Sequence, residues 1–185
     1  MGFFKQITDE VARVFRPKTG QDKPALLRIG WFMLQPYLLS SRINPFSGPR
    51  VAVLRLFGAD IGDGVTIRPG VKVKFPWKLK VGDNASIGED AWLDNMEQVT
   101  LGDRVVVSQG AYLCTGNHDW DSEDRRLTAL PITVEENTWI GASTRLGPGI
   151  TIGRDSIISL GCTVVKDVEP GSLVFHRTVI KKRKA

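Results

Sequence analysis

The residue in this sequence whose side chain is best suited to catalysis is His118. It belongs to the stretch Leu113-Cys114-Thr115-Gly116-Asn117-His118-Asp119, and the chain contains one other histidine, His176. An imidazole titrates near neutral pH, so a histidine at the base of a surface loop is suited to accept a proton as a general base. The residues alone leave two interpretations open: a catalytic base, or a histidine that stabilises the loop.

Histidine is too scarce for one kind of metal chemistry. A zinc site of three histidines cannot be built from the two in this chain, and a homotrimer with one well-placed histidine per chain would not easily supply it. We therefore expect no metal. The two cysteines, Cys114 and Cys162, are interpreted as buried free thiols in a reducing compartment.

An aliphatic residue recurs every six positions through residues 61–169. Neither a helix nor an alternating strand repeats in this way, whereas a hexapeptide period is typical of a parallel β-helix whose stacked coils share one core. We expect the aliphatic side chains to point into a triangular prism. Small or β-branched residues four places later would fit the corners, where Gly, Asn and Asp relieve strain. The aliphatic positions are Ile61, Ile67, Val73, Val81, Ile87, Leu93, Leu101, Val107, Leu113, Val134, Ile140, Leu146, Ile152, Ile158 and Val164.

The coil lengths locate the insertions. The spacing is twenty residues per coil before residue 101 and eighteen after residue 134. We interpret Leu79-Lys80 and Val99-Thr100 as two-residue corner expansions. We expect Pro76-Trp77 to bulge outward from the prism, and residues 119–131 to form a loop pushed out of the third coil.

The chain is predicted to have three parts: a helical cap and linker at residues 1–60, the β-helix at 61–169 and a basic tail at 170–185. Residues 4–15 have the pattern of a short amphipathic helix. Residues 25–39 are strongly apolar but too short and too broken to span a bilayer. They are interpreted either as a cap on the open first coil, which we favour, or as a segment at a membrane interface. A further helix is predicted at residues 49–57, before Gly58.

The formal net charge of +5 is concentrated at the two ends of the chain. Residues 1–60 carry nine Lys or Arg against four Asp or Glu, and Lys181-Lys182-Arg183-Lys184 adds four more. Basic ends suit cofactor phosphates or an anionic membrane surface, although a solvated tail explains the last four residues equally well. No basic stripe with interleaved aromatic residues runs along the repeat, which argues against nucleic acid. We expect a cytoplasmic protein, with peripheral contact at the inner face of the membrane as an option.

Three features together carry a family resemblance: the hexapeptide repeat, the stretch around His118, and Asn137-Thr138-Trp139-Ile140-Gly141. On these features, the sequence resembles the hexapeptide-repeat O-acetyltransferases over residues 50–170. Within that family it is most similar to the colanic-acid-biosynthesis (WcaF) type. Further matching motifs are Arg55-Leu56-Phe57-Gly58-Ala59, Pro76-Trp77-Lys78-Leu79, Gly147-Pro148-Gly149 and Val164-Val165-Lys166-Asp167.

The resemblance implies an all-β fold, a left-handed parallel β-helix with short N-terminal helices. It also implies a homotrimer whose active sites lie in clefts between neighbouring subunits, partly covered by the loop at 119–131. The donor would be acetyl-CoA and the acceptor a saccharide hydroxyl. His118 would be the catalytic base, and Asp94, Asn95 and Asn117 are candidate acceptor contacts.

Candidate donor contacts lie on later coils. Trp139 occupies the family's aromatic position along the pantetheine channel. Gly141, Ala142, Leu160 and Gly161 would offer backbone groups to the pantetheine amides. Lys166 and the lysines of the tail would meet the nucleotide phosphates.

Residues 175–180 depart from the family pattern, because they lack its Gly and Pro turn. The adenine end of the donor site is expected to be built differently or to bind weakly, and an unusual acyl donor or no donor at all are further options. We interpret His176 as structural or near the nucleotide. The leading hypothesis is an acetyl-CoA-dependent O-acetyltransferase in polysaccharide or glycoconjugate biosynthesis. The alternatives are an acetyltransferase for another hydroxyl or amine acceptor, such as an antibiotic or an amino sugar, and a non-catalytic scaffold.

Overall fold

The computed structural model describes residues 23–39, 41–42, 45–119 and 121–175. The chain divides into two units, Met1–Leu34 and Gln35–Ala185. Three features of the sequence lie outside the described residues: the predicted helix at 4–15, His176 and the basic residues 181–184. Within the described ranges, the helices are too short or too polar to cross a membrane.

Among the described residues, two helices precede the repeat. Helix α1 (Ala25–Leu38) contains Pro36, and helix α2 (Gly48–Leu56) has a proline in its first turn, as the sequence predicts. Helix α2 packs against the first two strands, β1 (Asp60–Ile61) and β2 (Thr66–Ile67). Its Leu54 is fully buried, and the Ser47 hydroxyl before it accepts a 2.7 Å hydrogen bond from the Ile67 amide. Helix α2 therefore covers the start of the first coil.

The segment between the helices is held by one buried side chain. The Arg50 guanidinium donates hydrogen bonds to the carbonyls of Leu39, Ser41 and Phe46 at 3.2, 2.8 and 2.8 Å. The Gln35 side chain at the end of α1 accepts a 2.9 Å bond from the Val73 amide in the first coil. Whether residues 25–39 act as a whole to cap the coil stays a prediction.

The remaining strands form three parallel sheets, one along each side of a prism, and a separate hairpin. The first sheet contains β1, β4 (Leu79–Val81), β7 (Val99–Leu101), β12 (Ile132–Val134) and β15 (Thr151–Ile152). The second contains β2, β5 (Ser86–Ile87), β8 (Val106–Val107), β13 (Trp139–Ile140), β16 (Ile157–Ile158) and β18 (Leu173–Val174). The third contains β3 (Lys72–Val73), β6 (Trp92–Asp94), β9 (Tyr112–Cys114), β14 (Arg145–Leu146) and β17 (Thr163–Val164). This is the predicted parallel β-helix.

The predicted core is confirmed position by position. Every aliphatic residue of the hexapeptide pattern is buried, with at most 6% of its surface exposed. The polar members of the small-residue positions are satisfied across coils; the Thr138 hydroxyl, for example, donates to the Gly153 carbonyl at 3.2 Å. Both cysteines are free, Cys162 buried and Cys114 half-buried. The repeat also continues past its predicted end, because β18 pairs with β16 within the segment predicted as a tail.

The corners confirm one prediction and correct another. Asn84 turns its corner with φ of 56°, in the left-handed region that Asn and Gly tolerate best. The expected corner expansions at Leu79-Lys80 and Val99-Thr100 are both wrong, since these residues lie within β4 and β7 and pair with each other. In the first coil the extra residues are taken up just before β4 by a 3₁₀ turn, Pro76–Lys78. Pro76 and Lys78 are buried in this turn; the outward bulge of Pro76-Trp77 stays a prediction.

Candidate active site

The interruption of the third coil is a β-hairpin. Strand β10 (Gly116–His118) pairs antiparallel with β11 (Leu127–Ala129), and His118 lies opposite Leu127. The excursion closes where the Leu130 amide donates to the Thr115 carbonyl at 2.9 Å. It therefore starts before residue 119, where the loop was predicted to begin, and it places His118 on a hydrogen-bonded strand.

Thr115 fixes the base of this hairpin to the coil below. It is fully buried, and its hydroxyl donates to the Asp94 carbonyl at 3.1 Å while accepting from the Glu97 amide at 2.9 Å. The next residue, Gly116, faces Met96, whose Sδ would lie 2.9 Å from a Cβ added at this position. The start of the hairpin thus has little freedom to shift.

The imidazole of His118 is oriented by a backbone carbonyl. Its Nδ1 lies 2.7 Å from the Arg125 carbonyl oxygen. A carbonyl only accepts hydrogen bonds, so in the neutral ring Nδ1 carries the proton and Nε2 carries the lone pair. The side chain is exposed. Nε2 is therefore available as a proton acceptor.

The tip of the hairpin holds this carbonyl in place. Arg125 has φ of 43°, in the left-handed region that is unfavourable for most side chains. Its amide donates to the Ser122 carbonyl at 3.0 Å, and the Asp119 amide donates to the Arg126 carbonyl at 2.9 Å. The Ser122 hydroxyl donates to the Asp119 carbonyl at 2.8 Å and accepts from the Arg126 amide at 3.1 Å. Sequence reasoning missed Arg125, because a carbonyl is common to all residues.

Asp94 lies beside the hairpin base in a charged cluster. Its carboxylate accepts hydrogen bonds from Lys74 Nζ at 2.7 Å and from the Tyr112 hydroxyl at 2.9 Å. Desolvation, followed by the hydrogen bonds to Cys114 and Asp94, raises the pKa of Tyr112 well above its usual range. The Trp92 ring packs 4.8 Å from that of Tyr112 and adds to this burial. Only 13% of the Asp94 side chain is exposed, so little of it is accessible to an acceptor.

The other two candidate acceptor contacts differ in position. Asn95 is fully buried, and its side chain donates to the Phe75 and Lys78 carbonyls while accepting from the Phe75 amide. These bonds hold a corner, and we assign Asn95 to the fold and not to acceptor binding. Asn117 is exposed, and its Oδ1 accepts from the main-chain amide of His118 at 2.8 Å. Asn117 remains a candidate contact.

Trp139 lies on the second sheet and points outward, as predicted. Its side chain is 53% exposed, and its indole Nε1 donates to the Ser108 hydroxyl at 2.8 Å. His118 lies on the hairpin that follows the third sheet. One chain therefore carries these two candidate groups on different sheets.

The predicted donor-binding backbone groups fall into two kinds. The Gly141 amide donates to the Ile158 carbonyl and its carbonyl accepts from the Thr144 amide, so this residue has little left to offer a ligand. The amides of Ala142 and Leu160 have no hydrogen-bond partner within the described ranges. The Gly161 amide is used by the Ala142 carbonyl at 2.8 Å. Leu160, Gly161 and Lys166 are exposed. Ala142 and Leu160 are thus the better candidates.

No group of three or more His, Cys, Asp or Glu side chains that could hold a metal occurs in the part of the chain that the structure describes.

Comparisons with known proteins agree with the β-helix fold. The family pattern described as "Hexapeptide repeat of succinyl-transferase" matches residues 78–114 and 131–166. A protein of Escherichia coli (strain K12), provisionally named as the colanic acid biosynthesis acetyltransferase WcaF, is 42% identical over 156 residues, which cover 83% of this chain and 85% of that protein.

Two solved structures share the fold. A hexapeptide-repeat acetyltransferase of Vibrio cholerae, complexed with acetyl-coenzyme A, superposes with a TM-score of 0.73 at 23% identity and covers 80% of this chain and 81% of its own. A galactoside acetyltransferase in complex with coenzyme A also superposes with a TM-score of 0.73 at 23% identity. The match covers 89% of this chain and 84% of that chain.

Proposed function

This chain belongs to the hexapeptide-repeat acetyltransferase family, and we propose that it transfers the acetyl group of acetyl-CoA to a hydroxyl of a saccharide. The observation that carries the proposal is the His118 imidazole, whose Nδ1 faces the Arg125 carbonyl at 2.7 Å and whose Nε2 is left to accept a proton. A sugar hydroxyl is a weak nucleophile at neutral pH, so a base is the group that this reaction needs most.

The reaction follows from this arrangement. His118 Nε2 takes the proton of the acceptor hydroxyl as its oxygen forms a bond to the thioester carbonyl carbon. The carbon–sulfur bond then breaks, and the thiolate of CoA leaves with the proton returned from Nε2. The Arg125 carbonyl stabilises the transient imidazolium through Nδ1–H and holds the ring in one orientation. The products are an acetyl ester and CoA with a free thiol.

Several groups on the later coils could bind acetyl-CoA. The amides of Ala142 and Leu160, which have no hydrogen-bond partner among the described residues, can donate to the carbonyls of the pantetheine arm. The exposed face of Trp139 offers an apolar surface along the same arm. Lys166 is exposed and cationic, which suits a nucleotide phosphate. Two of the proteins that share this fold were solved with acetyl-CoA or CoA bound.

We further propose a homotrimer in which one subunit supplies His118 and its neighbour supplies Trp139. The placement of the two residues on different sheets of one chain supports this arrangement. Co-expression of His118→Ala and Trp139→Ala chains tests it, because a mixed trimer contains some clefts with both native residues. We expect about a quarter of wild-type activity from random mixing. A mixture as inactive as the separate variants would contradict the shared cleft.

The proposed acceptor is a saccharide in polysaccharide or glycoconjugate biosynthesis, made in the cytoplasm. The support is the colanic acid biosynthesis name of the relative that is 42% identical. A panel of sugars and amino sugars tests the acceptor class by the product. An O-acetyl ester is cleaved by mild alkali, whereas the amide from an amine acceptor survives it and would contradict the assignment.

The decisive experiment for the base compares wild type with His118→Asn and His118→Ala. Asparagine retains an N–H donor for the Arg125 carbonyl but has no basic nitrogen. We expect both variants to bind acetyl-CoA in calorimetric titration, while acceptor-dependent release of CoA falls about 100-fold to 10,000-fold. Release at the wild-type rate from His118→Asn would overturn the role of His118.

A further inference from the structure

Tyr112 makes a polar contact that the proposed reaction does not use. It lies on β9 next to the buried Leu113, so its side chain points to the outer side of the third sheet. Its hydroxyl donates to the Asp94 carboxylate at 2.9 Å. Its ring packs 4.8 Å from that of Trp92, and Lys72 Nζ lies 5.5 Å from the centre of the Trp92 ring. The position of the Tyr112 ring therefore does not depend on its hydroxyl alone.

The carboxylate of Asp94 is held from both sides. Asp94 is the last residue of β6, which lies between β3 and β9 in the third sheet. Lys74, which follows β3, donates to this carboxylate at 2.7 Å, and Tyr112 on β9 donates to it at 2.9 Å. Hydrogen bonds to an ionised acceptor are roughly twice as strong as neutral ones, and little of this side chain meets water. The two bonds together fix Asp94 between the coils before and after it.

The main chain of Asp94 carries this constraint to the hairpin. Its carbonyl accepts hydrogen bonds from the Thr115 hydroxyl at 3.1 Å and from the Thr115 amide at 3.3 Å. Thr115 is the residue before β10, and His118 is the last residue of β10. A continuous path of hydrogen bonds and covalent bonds thus joins the Tyr112 hydroxyl to the strand that carries the imidazole.

We propose that Tyr112 is a positioning residue for the acetyl transfer. Through Asp94, its hydroxyl fixes where the hairpin places the His118 imidazole. The inference rests on the proposed function, since the position of this ring matters only if it is the base. The contact between His118 Nδ1 and the Arg125 carbonyl lies within the hairpin. Loss of the Tyr112 hydroxyl should therefore shift the imidazole and its carbonyl partner together, with no change of tautomer.

Tyr112→Phe tests the proposal, because phenylalanine keeps the ring against Trp92 and removes the hydroxyl alone. A shift of about 1 Å in a catalytic group lowers the rate about 100-fold, so a smaller shift should lower kcat at least about 10-fold. The KM for the acceptor and the calorimetric Kd for acetyl-CoA should change less than about 2-fold, since the hydroxyl binds neither ligand. Nitrogen-15 NMR should still show the His118 proton on Nδ1.

Variants of Thr115 test whether the effect follows this path. Thr115→Val removes the hydroxyl that bonds the Asp94 carbonyl and should also lower kcat, whereas Thr115→Ser keeps a hydroxyl and should restore kcat to near wild type. Changes along one path are not independent. The double variant Tyr112→Phe/Thr115→Val should therefore keep a kcat at least about 3-fold higher than two independent losses would leave.

Ser156→Ala is the matched control for the loss of a buried hydroxyl. Ser156 is fully buried, and its hydroxyl donates to the Glu169 carbonyl at 3.1 Å and accepts from the Ser172 amide at 3.2 Å. These are the same two kinds of bond that Thr115 makes, at a place remote in sequence from the hairpin. Ser156→Ala should lower the melting temperature as Thr115→Val does, and should leave kcat near that of wild type.

Five results would overturn the proposal. They are an undiminished kcat in Tyr112→Phe, a raised acceptor KM with normal kcat, a His118 proton on Nε2, independent effects of the Tyr112 and Thr115 changes, and a Ser156→Ala variant as slow as Thr115→Val. The second would make Tyr112 an acceptor contact. A wild type that acetylates no saccharide would instead contradict the proposed function, and this inference would fall with it.

Discussion

Gly116 provides a sharp test of how the hairpin positions the His118 imidazole, which we propose as the base. A Cβ at this position would lie 2.9 Å from Met96 Sδ and 3.6 Å from Met96 Cγ. The backbone of Gly116 does not have a left-handed φ, so the effect of Gly116→Ala is steric and not conformational. Normal contacts need about 3.5–4.0 Å, and either the thioether or the hairpin must therefore move by more than about half an ångström.

The size of the changes in stability and rate depends on whether the Met96 side chain or the hairpin moves. Overpacking of this kind costs about 1–3 kcal/mol, and the flexible methionine should keep the loss of unfolding free energy near about 1 kcal/mol. His118 lies two residues further along the same strand, and a displacement of about 1 Å in a catalytic group lowers the rate about 100-fold. We expect Gly116→Ala to lower kcat/KM about 10-fold to 100-fold, measured by release of CoA, while urea unfolding shifts only slightly.

The double variant Gly116→Ala/Met96→Ala tests whether the clash with Met96 causes the loss of activity in Gly116→Ala. Removing the thioether leaves room for the new methyl group, so activity should return to near that of Met96→Ala alone. The Met96 carbonyl keeps its 2.8 Å bond from Lys78 Nζ in both variants. Wild-type activity in Gly116→Ala, or a double variant no faster than Gly116→Ala, would refute the steric reasoning.

Three further predictions concern the surroundings of the site. Arg125→Gly should retain activity because glycine accepts a positive φ, whereas Arg125→Val should lower kcat about 10-fold by strain at the same φ; equal rates would contradict a role for the loop conformation. Asn95→Asp should lower the free energy of unfolding by at least about 2 kcal/mol, since its carboxylate would face the Phe75 and Lys78 carbonyls, and a change in acceptor KM with normal stability would instead return Asn95 to the site. The raised pKa of Tyr112 means that the unfolded chain loses this proton first, so stability should hold below about pH 9 and fall above about pH 10; the fall should be weaker in Tyr112→Phe, and identical pH profiles would contradict the linkage.

The fold could be predicted from the sequence because fifteen aliphatic positions follow the same six-residue period, and all fifteen are buried. Each side chain enters the same core, so an error at one position would not change the answer. The corner turns were less certain for a physical reason. Counting residues shows that a coil is longer, but not which side of a corner holds the surplus, and the 3₁₀ turn at Pro76–Lys78 holds what we expected at Leu79-Lys80.

The candidate site could be proposed from its side chains, but its main-chain contacts could not be predicted from the sequence. His118 stood out by type and position, and Trp139 by its outward register in a strand. The carbonyl of Arg125 and the pinning of the hairpin through Thr115 depend on chain geometry that no side-chain pattern reports. Asn95 was placed among the acceptor contacts because an amide can bind a sugar or a backbone equally well, and its burial alone distinguishes the two.

The most direct test of the mechanism is the tautomer of His118, read by nitrogen-15 NMR at about pH 8, where the ordinary imidazole is neutral. The chain has two histidines, so the spectrum of His118→Ala assigns the signals. The 2.7 Å contact between Nδ1 and the Arg125 carbonyl predicts a protonated Nδ1 and an unprotonated Nε2. A His118 with its proton on Nε2 would leave no base facing the acceptor, and would contradict the mechanism.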